Sequence, residues 1–345
     1  MEKELTAREK FKEILDGTFI KNYDKPENNK EKIRIFCEKV QKLKPQKLFR
    51  YRKIDDNNNF YDALCKNLIT TSNPINFNDP FDSLIYVNVQ EILDDLKNPR
   101  SRTKFKKWLE YNPALVQSLQ AKQKSILKGF LNESDDKYRL NIRVALPKIE
   151  KSLSHIIAHS IDYLKTYSNI ACFSETIKSP IMWSHYADSH KGFALEYDFK
   201  NYNSPCINCS NKCRFAHYDL LFPVIYSDER FNAKDFIASY FVQSIFAKVP
   251  FGVFVPIDDD LAIYKILLRK SMDWKYEQEW RIISHCNTKP AIYKKPTAIY
   301  LGVNMSTRDK NLLIDFANKN NIPVHEMYIE HNSKEYAMNS KQISN

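Results

Sequence analysis

Glycine is nearly missing from this chain, and that scarcity restricts which nucleotide-binding architectures the sequence can build. The 345 residues contain five glycines: Gly17, Gly129, Gly192, Gly252 and Gly302. Phosphate-cradling loops such as GxGxxG or GxxxxGK[S/T] need clustered glycines, because backbone N–H groups must approach a phosphate closely. No two of the five lie near enough in sequence. A Rossmann dinucleotide site and a Walker-type site are therefore excluded. GxSxG and HExxH are absent as well, which removes two common hydrolase and protease signatures.

With 43% hydrophobic and 13% aromatic residues the chain can bury a substantial core. No apolar run approaches the roughly 20 residues that a membrane-spanning helix needs. The N-terminal stretch MEKELTAREKFKE is charged and shows no signal peptide. A cytoplasmic protein away from membranes, its cysteines reduced, is expected. Lys and Arg (53) exceed Asp and Glu (42), and much of the +11 excess is local. Between Arg100 and Lys128 lie eight basic residues and one acid, Glu110. Such a run is either a solvated helix face or a salt-sensitive phosphate-binding surface that favours a nucleic-acid partner.

The periodicity predicts an α+β fold: a mixed β-sheet core split by a helical insertion. Residues 1–45 read as an N-terminal helical extension, with Ile33, Phe36, Val40 and Leu43 at helical spacing and Pro45 as its end. Residues 46–87 and 167–330 hold the strand signals of the core. Residues 88–166 read as an inserted basic helical segment punctuated by Pro99, Pro113 and Pro147, and 331–345 as a polar tail.

The polar residues of interest sit on or beside predicted strands. Alternation puts Arg50 and Arg52 on one face of the strand KLFRYRK, and the same rule places Glu277 and Glu279 together, two residues before Arg281. Like charges on one face are costly to bury without partners, so an Arg pair and a Glu pair on neighbouring strands satisfy each other. A structural ion-pair cluster meets the same requirement. In the loop SNPINFNDPFD, Asp79–Pro80 fixes a turn and Phe81 is expected as its core anchor, while Asn78 and Asp82 offer acceptors to a ribose or a metal. Within MWSHYADSH a helix is expected to place Met182, Trp183, Tyr186 and His190 within reach of one another. Trp183 and Tyr186 then either join the core or stack on a planar ring. Cys206, Cys209, Cys213 and His217 supply four ligands of the kind a structural zinc takes, or else form a reduced surface loop.

The segments LFRYRK, ITTSNPINFNDPFD, ACFSE, MWSHYADSHKGFALEYDF and W-x-YEQEWR, in this order, resemble the bacterial family catalogued as domain of unknown function 2971. A further resemblance is to ADP-ribosyltransferases, whose sites combine a basic residue on an early strand, a middle strand ending in Ser or a following Tyr, and a late E-x-E. That resemblance implies NAD as substrate, bound without a glycine-rich loop. Arg50 or Arg52 would hold its phosphates or ribose, Ser174 would bond near the nicotinamide ribose, and Tyr186 or Trp183 would stack on the nicotinamide. Asn78 and Asp82 would assist binding, Glu279 would be the catalytic glutamate and Glu277 its acceptor-orienting partner. The implied role is modification of a nucleic acid or protein, as a toxin or anti-phage effector with an antitoxin or other regulator as partner. Two other readings use the same residues: a metal-dependent nuclease built on Asp79, Asp82, Glu277 and Glu279, and a non-catalytic binding module in which the charges staple the sheet.

Overall fold

The computed structural model describes residues 5–18, 26–54, 59–110, 113–200, 221–247, 259, 261–284 and 292–344. Two N-terminal helices, α1 (Ala7–Gly17) and α2 (Pro26–Gln41), precede the strand β1 (Lys47–Arg52). Next come α3 (Asn59–Cys65), β2 (Leu68–Ile69), α4 (Val89–Lys97), α5 (Arg100–Glu110), α6 (Pro113–Ser118), α7 (Ala121–Asn132) and α8 (Asp135–Tyr167). The chain continues through β3 (Asn169–Ser174), α9 (Pro180–Tyr186), β4 (Phe193–Asp198), β5 (Leu221–Pro223), β6 (Ile225–Ser227), α10 (Lys234–Ala247), α11 (Ala262–Leu267) and β7 (Arg269–Ser271). It closes with β8 (Glu279–Ser284), β9 (Ile292–Tyr293), β10 (Ala298–Leu301), α12 (Thr307–Asn320), β11 (Val324–Ile329) and β12 (Met338–Ser344).

Eight strands form one mixed sheet in the order β12-β11-β10-β4-β1-β3-β8-β5. Its pairs are antiparallel except β10 with β11, where α12 supplies the crossover that parallel neighbours need. The apolar residues alternate cleanly. On one face Leu48, Phe173, Leu195, Tyr197 and Trp280 pack under α3 and α12. On the other, Phe49, Tyr51, Ala194 and Tyr300 meet Met182 and Trp183 of α9, while Ile170, Phe222 and Ile283 meet α1, α2 and α11.

Several expectations change. The N-terminal helices lie on the sheet itself, because Phe11, Leu15, Ile33, Phe36 and Val40 form an apolar stripe that packs against Phe222. The polar tail contains β12, whose Met338 is buried beside β11. Residues 88–166 are helical, but Pro147 lies inside α8 rather than ending it. A proline there removes one hydrogen bond, and packing of Leu153, Ile156 and Leu164 against α4 and α10 holds the helix together. The apolar run 221–227 breaks into two strands at Val224.

The sheet has a parting. The strands β1 and β3 pair only through Phe49 and Ser174. At the far end of β3, Ser72 takes the place of β1 and exchanges two backbone hydrogen bonds with Ile170, at 2.8 and 2.9 Å. Residues 50–53 thus diverge from 170–173, and the candidate site lies at that opening.

Candidate active site

Pairing of β3 with β8 sets Ser174 opposite Glu279 and Cys172 opposite Arg281, all on the face that carries Phe49. Arg281 is fully buried and spends its guanidinium on two carboxylates. Its Nε and Nη2 donate to Glu279 at 2.8 and 3.0 Å, and its Nη1 donates to Asp82 at 2.9 Å. A further bond runs from Nη1 to the carbonyl of Leu267 at 2.6 Å. Lys270, on β7, reaches Glu277 at 2.6 Å, Glu279 at 3.4 Å and Asp82 at 3.8 Å. Its ammonium lies 4.6 Å from the ring centre of Trp274. Three buried acids thus face two buried cations.

The two glutamates respond differently. Burial alone pushes the Glu279 carboxyl up, but the charges of Arg281 and Lys270 outweigh it and hold the group well below the ordinary 4.5. Burial and the neighbouring Glu279 charge raise Glu277 to about 7, with Lys270 and Tyr186 only partly offsetting them. Lys270 itself is raised: the surrounding carboxylates overcome the cost of burying its charge.

Strand alternation is not what brings Glu277 and Glu279 together. Glu277 ends a short 3-10 turn (Met272–Glu277), and Gln278 bridges to β8 in the left-handed region at φ 46°. That turn swings Glu277 towards α9. There Tyr186 donates to its Oε1 at 2.5 Å, while Oε2 accepts from Lys270. Asn78 donates to the Tyr186 hydroxyl oxygen at 3.3 Å. Burial and the Glu277 charge push the Tyr186 phenol well above its usual value. Ser174 donates to the backbone carbonyl of Glu277 at 2.6 Å, so it fixes the turn that carries the glutamate.

A cavity of about 620 Å³ opens at the parting of β1 and β3. It brings together seven of the residues singled out from the sequence: Arg50, Arg52, Asn78, Ser174, Tyr186, Glu277 and Glu279. Arg50 and Arg52 register with Leu195 and Phe193, on the sheet face opposite Glu279, and meet the cavity because the strands separate there. The Arg50 guanidinium donates to the carbonyl of Thr70 and lies 5.8 Å from the Phe173 ring centre. Burial and the charge of Arg52 lower it to about 10.

Other candidates fall elsewhere. Trp183 is fully buried, donates to the carbonyl of Ile177 at 2.7 Å and meets Tyr51 edge-on, so it belongs to the core. Asp82 sits behind Arg281 and does not line the cavity. The helix α9 stops at Tyr186, and Asp188, Ser189 and His190 follow at φ 47°, 53° and 67°, so His190 lies beyond the helix expected for it. Among Asp79, Asp82, Glu277 and Glu279, the last three have Arg281 or Lys270 where a divalent ion would bind. Among the described residues no group of three or more His, Cys, Asp or Glu is placed to hold a metal. Cys206, Cys209, Cys213 and His217 lie outside the described residues. Among the described residues no helix is long and apolar enough to cross a membrane.

Sequence reasoning overlooked Lys270, whose three-residue strand is too short to show a period. It also overlooked Arg8, which reaches from α1 to Glu175 at 2.6 Å and to the carbonyls of Val224 and Glu279. Arg281 was visible beside the glutamates, but nothing in the spacing disclosed its partner Asp82, 199 positions away.

Residues 182–282 match the family model described as Protein of unknown function (DUF2971). The DUF2971 stretch contains Tyr186, Lys270, Glu277, Glu279 and Arg281, while Arg50, Arg52, Asn78, Asp82 and Ser174 lie outside it. No curated protein and no solved structure matches the chain.

Proposed function

We propose that the chain is an ADP-ribosyltransferase-like enzyme that consumes NAD, with Glu277 rather than Glu279 as its acid–base group. The observation that carries this reading is the convergence of an arginine pair and a carboxyl raised to about 7 on one cavity of about 620 Å³. A volume of that size lies within the range of cofactor and substrate sites. Arginine grips a pyrophosphate with two parallel hydrogen bonds, so Arg50 and Arg52 suit the phosphate end. A protein with scattered glycines has no phosphate loop and must use side chains for this task.

In the reaction the C1′–N bond of the nicotinamide riboside breaks, and nicotinamide leaves as a neutral base with the bonding electron pair. Positive charge builds on the ribose, as in glycoside cleavage. Arg281 and Lys270 offset two of the three clustered acids, so the cluster with Glu277 ionised keeps one negative charge, which favours this positive charge. Glu277 takes the proton of the attacking hydroxyl, amine or water as the new bond to C1′ forms. A base whose pKa lies near the operating pH suits that step. Tyr186, hydrogen-bonded to Glu277, orients it and lines the nicotinamide end. The acceptor-side role that the family resemblance gave to Glu277 is kept, while Glu279, both of whose oxygens accept from Arg281, anchors the cluster.

The test is release of nicotinamide from NAD by the purified chain, alone and with lysate nucleic acid and protein as acceptors. Nicotinamide release that Glu277→Gln abolishes supports the assignment. Absence of release with every acceptor, or release unchanged in Glu277→Gln, contradicts it.

A further inference from the structure

Glu277 is poised to take a proton, yet almost none of it is open to a molecule that could bring one. Its side chain is 3% exposed although it borders the cavity of about 620 Å³. Both carboxylate oxygens are occupied. Oε1 accepts from the Tyr186 hydroxyl at 2.5 Å, and Oε2 accepts from Lys270 at 2.6 Å. Each oxygen has a second lone pair, but burial leaves little of either for an acceptor to touch.

The two donors differ in what they can pass on. An ammonium has three protons and no lone pair, so a proton reaches Oε2 through Lys270 only if Lys270 gives up one of its own. Burial pulls the pKa of Lys270 down, but the charges of Glu279, Glu277 and Asp82 outweigh that and hold its protons in place. A phenol has one proton and two lone pairs, and it can receive a proton on one side while giving its own on the other. Tyr186 is half-buried, ends α9 and lines the cavity. Asn78, exposed and lining the same cavity, donates to the Tyr186 hydroxyl oxygen at 3.3 Å. The hydroxyl therefore lies between an exposed amide and a buried carboxylate. Asn78 occupies one of its lone pairs and aims the O–H at Glu277, which leaves the second lone pair for an incoming group.

We propose that Tyr186 is a catalytic residue that relays the acceptor's proton to Glu277. The inference deepens the proposed function and rests on it for the reaction served. As the acceptor oxygen or nitrogen bonds to C1′, its proton passes to the Tyr186 oxygen and the Tyr186 proton passes to Oε1 of Glu277. The phenol ends neutral, Glu277 ends as the acid, and Lys270 keeps its three protons. The two transfers run together, because burial and the Glu277 charge disfavour a phenolate.

Tyr186→Phe tests the relay, since it keeps the ring and removes the hydroxyl. Nicotinamide release and KM for NAD are followed from about pH 5 to about pH 9 in native, Tyr186→Phe, Asn78→Ala and Glu277→Gln protein, with water and lysate nucleic acid and protein as acceptors. The relay predicts that Tyr186→Phe stays about 100-fold or more below native even where Glu277 is fully ionised, with KM unchanged within about twofold. A tyrosine that only orients Glu277 would shift the midpoint and leave the high-pH rate within about threefold of native. Asn78→Ala alters an exposed side chain, keeps the native melting temperature and lowers the high-pH rate about threefold or more. A native high-pH rate in either variant overturns the relay. Release that Glu277→Gln abolishes and Tyr186→Phe preserves refutes the relay alone, whereas a native chain that releases no nicotinamide refutes the proposed reaction and the relay with it.

Discussion

Tyr186 and Glu277 form a 2.5 Å hydrogen bond between α9 and the turn that leads into β8. They lie 91 positions apart in the chain. The bond ties a carboxyl raised to about 7 to a phenol that burial keeps protonated. The charges of Arg281 and Lys270 hold its neighbour Glu279 well below the ordinary glutamate value.

That difference has a consequence for stability. The native state keeps the Glu277 proton up to about pH 7, whereas an unfolded glutamate releases it near 4.5. The stabilising contribution of protonated Glu277 is complete below about 4.5 and is lost as pH rises through about 7. The melting temperature of the native chain relative to Glu277→Gln is therefore expected to fall between those two pH values and to level off above them. A difference that is flat across the range would show that Glu277 titrates normally.

Arg281 neutralises Asp82 and Glu279 at once in a fully buried position. Removing it leaves Lys270 as the cation for three buried acids, and Arg281→Met is expected to cost about 3–5 kcal/mol in chemical denaturation. Arg281→Lys recovers only part of this, since an ammonium cannot bond both acids through a planar fork.

Arg8 joins α1 to the back of the site through Glu175 and through the carbonyls of Val224 and Glu279. Arg8→Met removes three hydrogen bonds, although the Glu279 carbonyl keeps the N–H of Val224 as a donor, and is expected to lower stability by about 1–3 kcal/mol. Glu175 retains Trp280 as a donor, so Glu175→Gln is expected to cost less. Equal losses for the two variants would contradict this ranking.

Gly192 lies where two backbones touch. A Cβ there would stand 2.2 Å from the carbonyl oxygen of Arg52 and 3.1 Å from the backbone of Ala187. Backbone cannot turn aside as a side chain can, so Gly192→Ala is expected to cost about 1–3 kcal/mol. If Arg52 holds NAD as proposed, its displacement is also expected to weaken NAD binding.

The parts of this architecture that were legible in the sequence are those with long periods. The alternation of KLFRYRK marked the strand β1, which forms one wall of the site. Two of the misreadings come from places where backbone leaves a regular period. Gln278 turns left-handed and carries Glu277 out of the strand, so counting by twos reached the right pair for the wrong reason. Phe81 was expected in the core because phenylalanine usually is, yet the turn at Asp79–Pro80 directs it to solvent. The Asp82–Arg281 and Arg8–Glu175 bonds join residues 199 and 167 positions apart, and no local pattern encodes such contacts.

The central claim is that Arg52 and Glu277 act on one molecule of NAD, the first in binding and the second in bond cleavage. The most direct measurement is NAD affinity and nicotinamide release in the same preparations of native, Arg52→Ala and Glu277→Gln protein. The account predicts that Arg52→Ala weakens binding about tenfold or more. It also predicts that Glu277→Gln binds NAD as the native chain does and releases nicotinamide at least about 100-fold more slowly. Native turnover should rise with pH through a midpoint near 7. Native protein that does not bind NAD, or Glu277→Gln protein that turns it over at the native rate, would contradict the account.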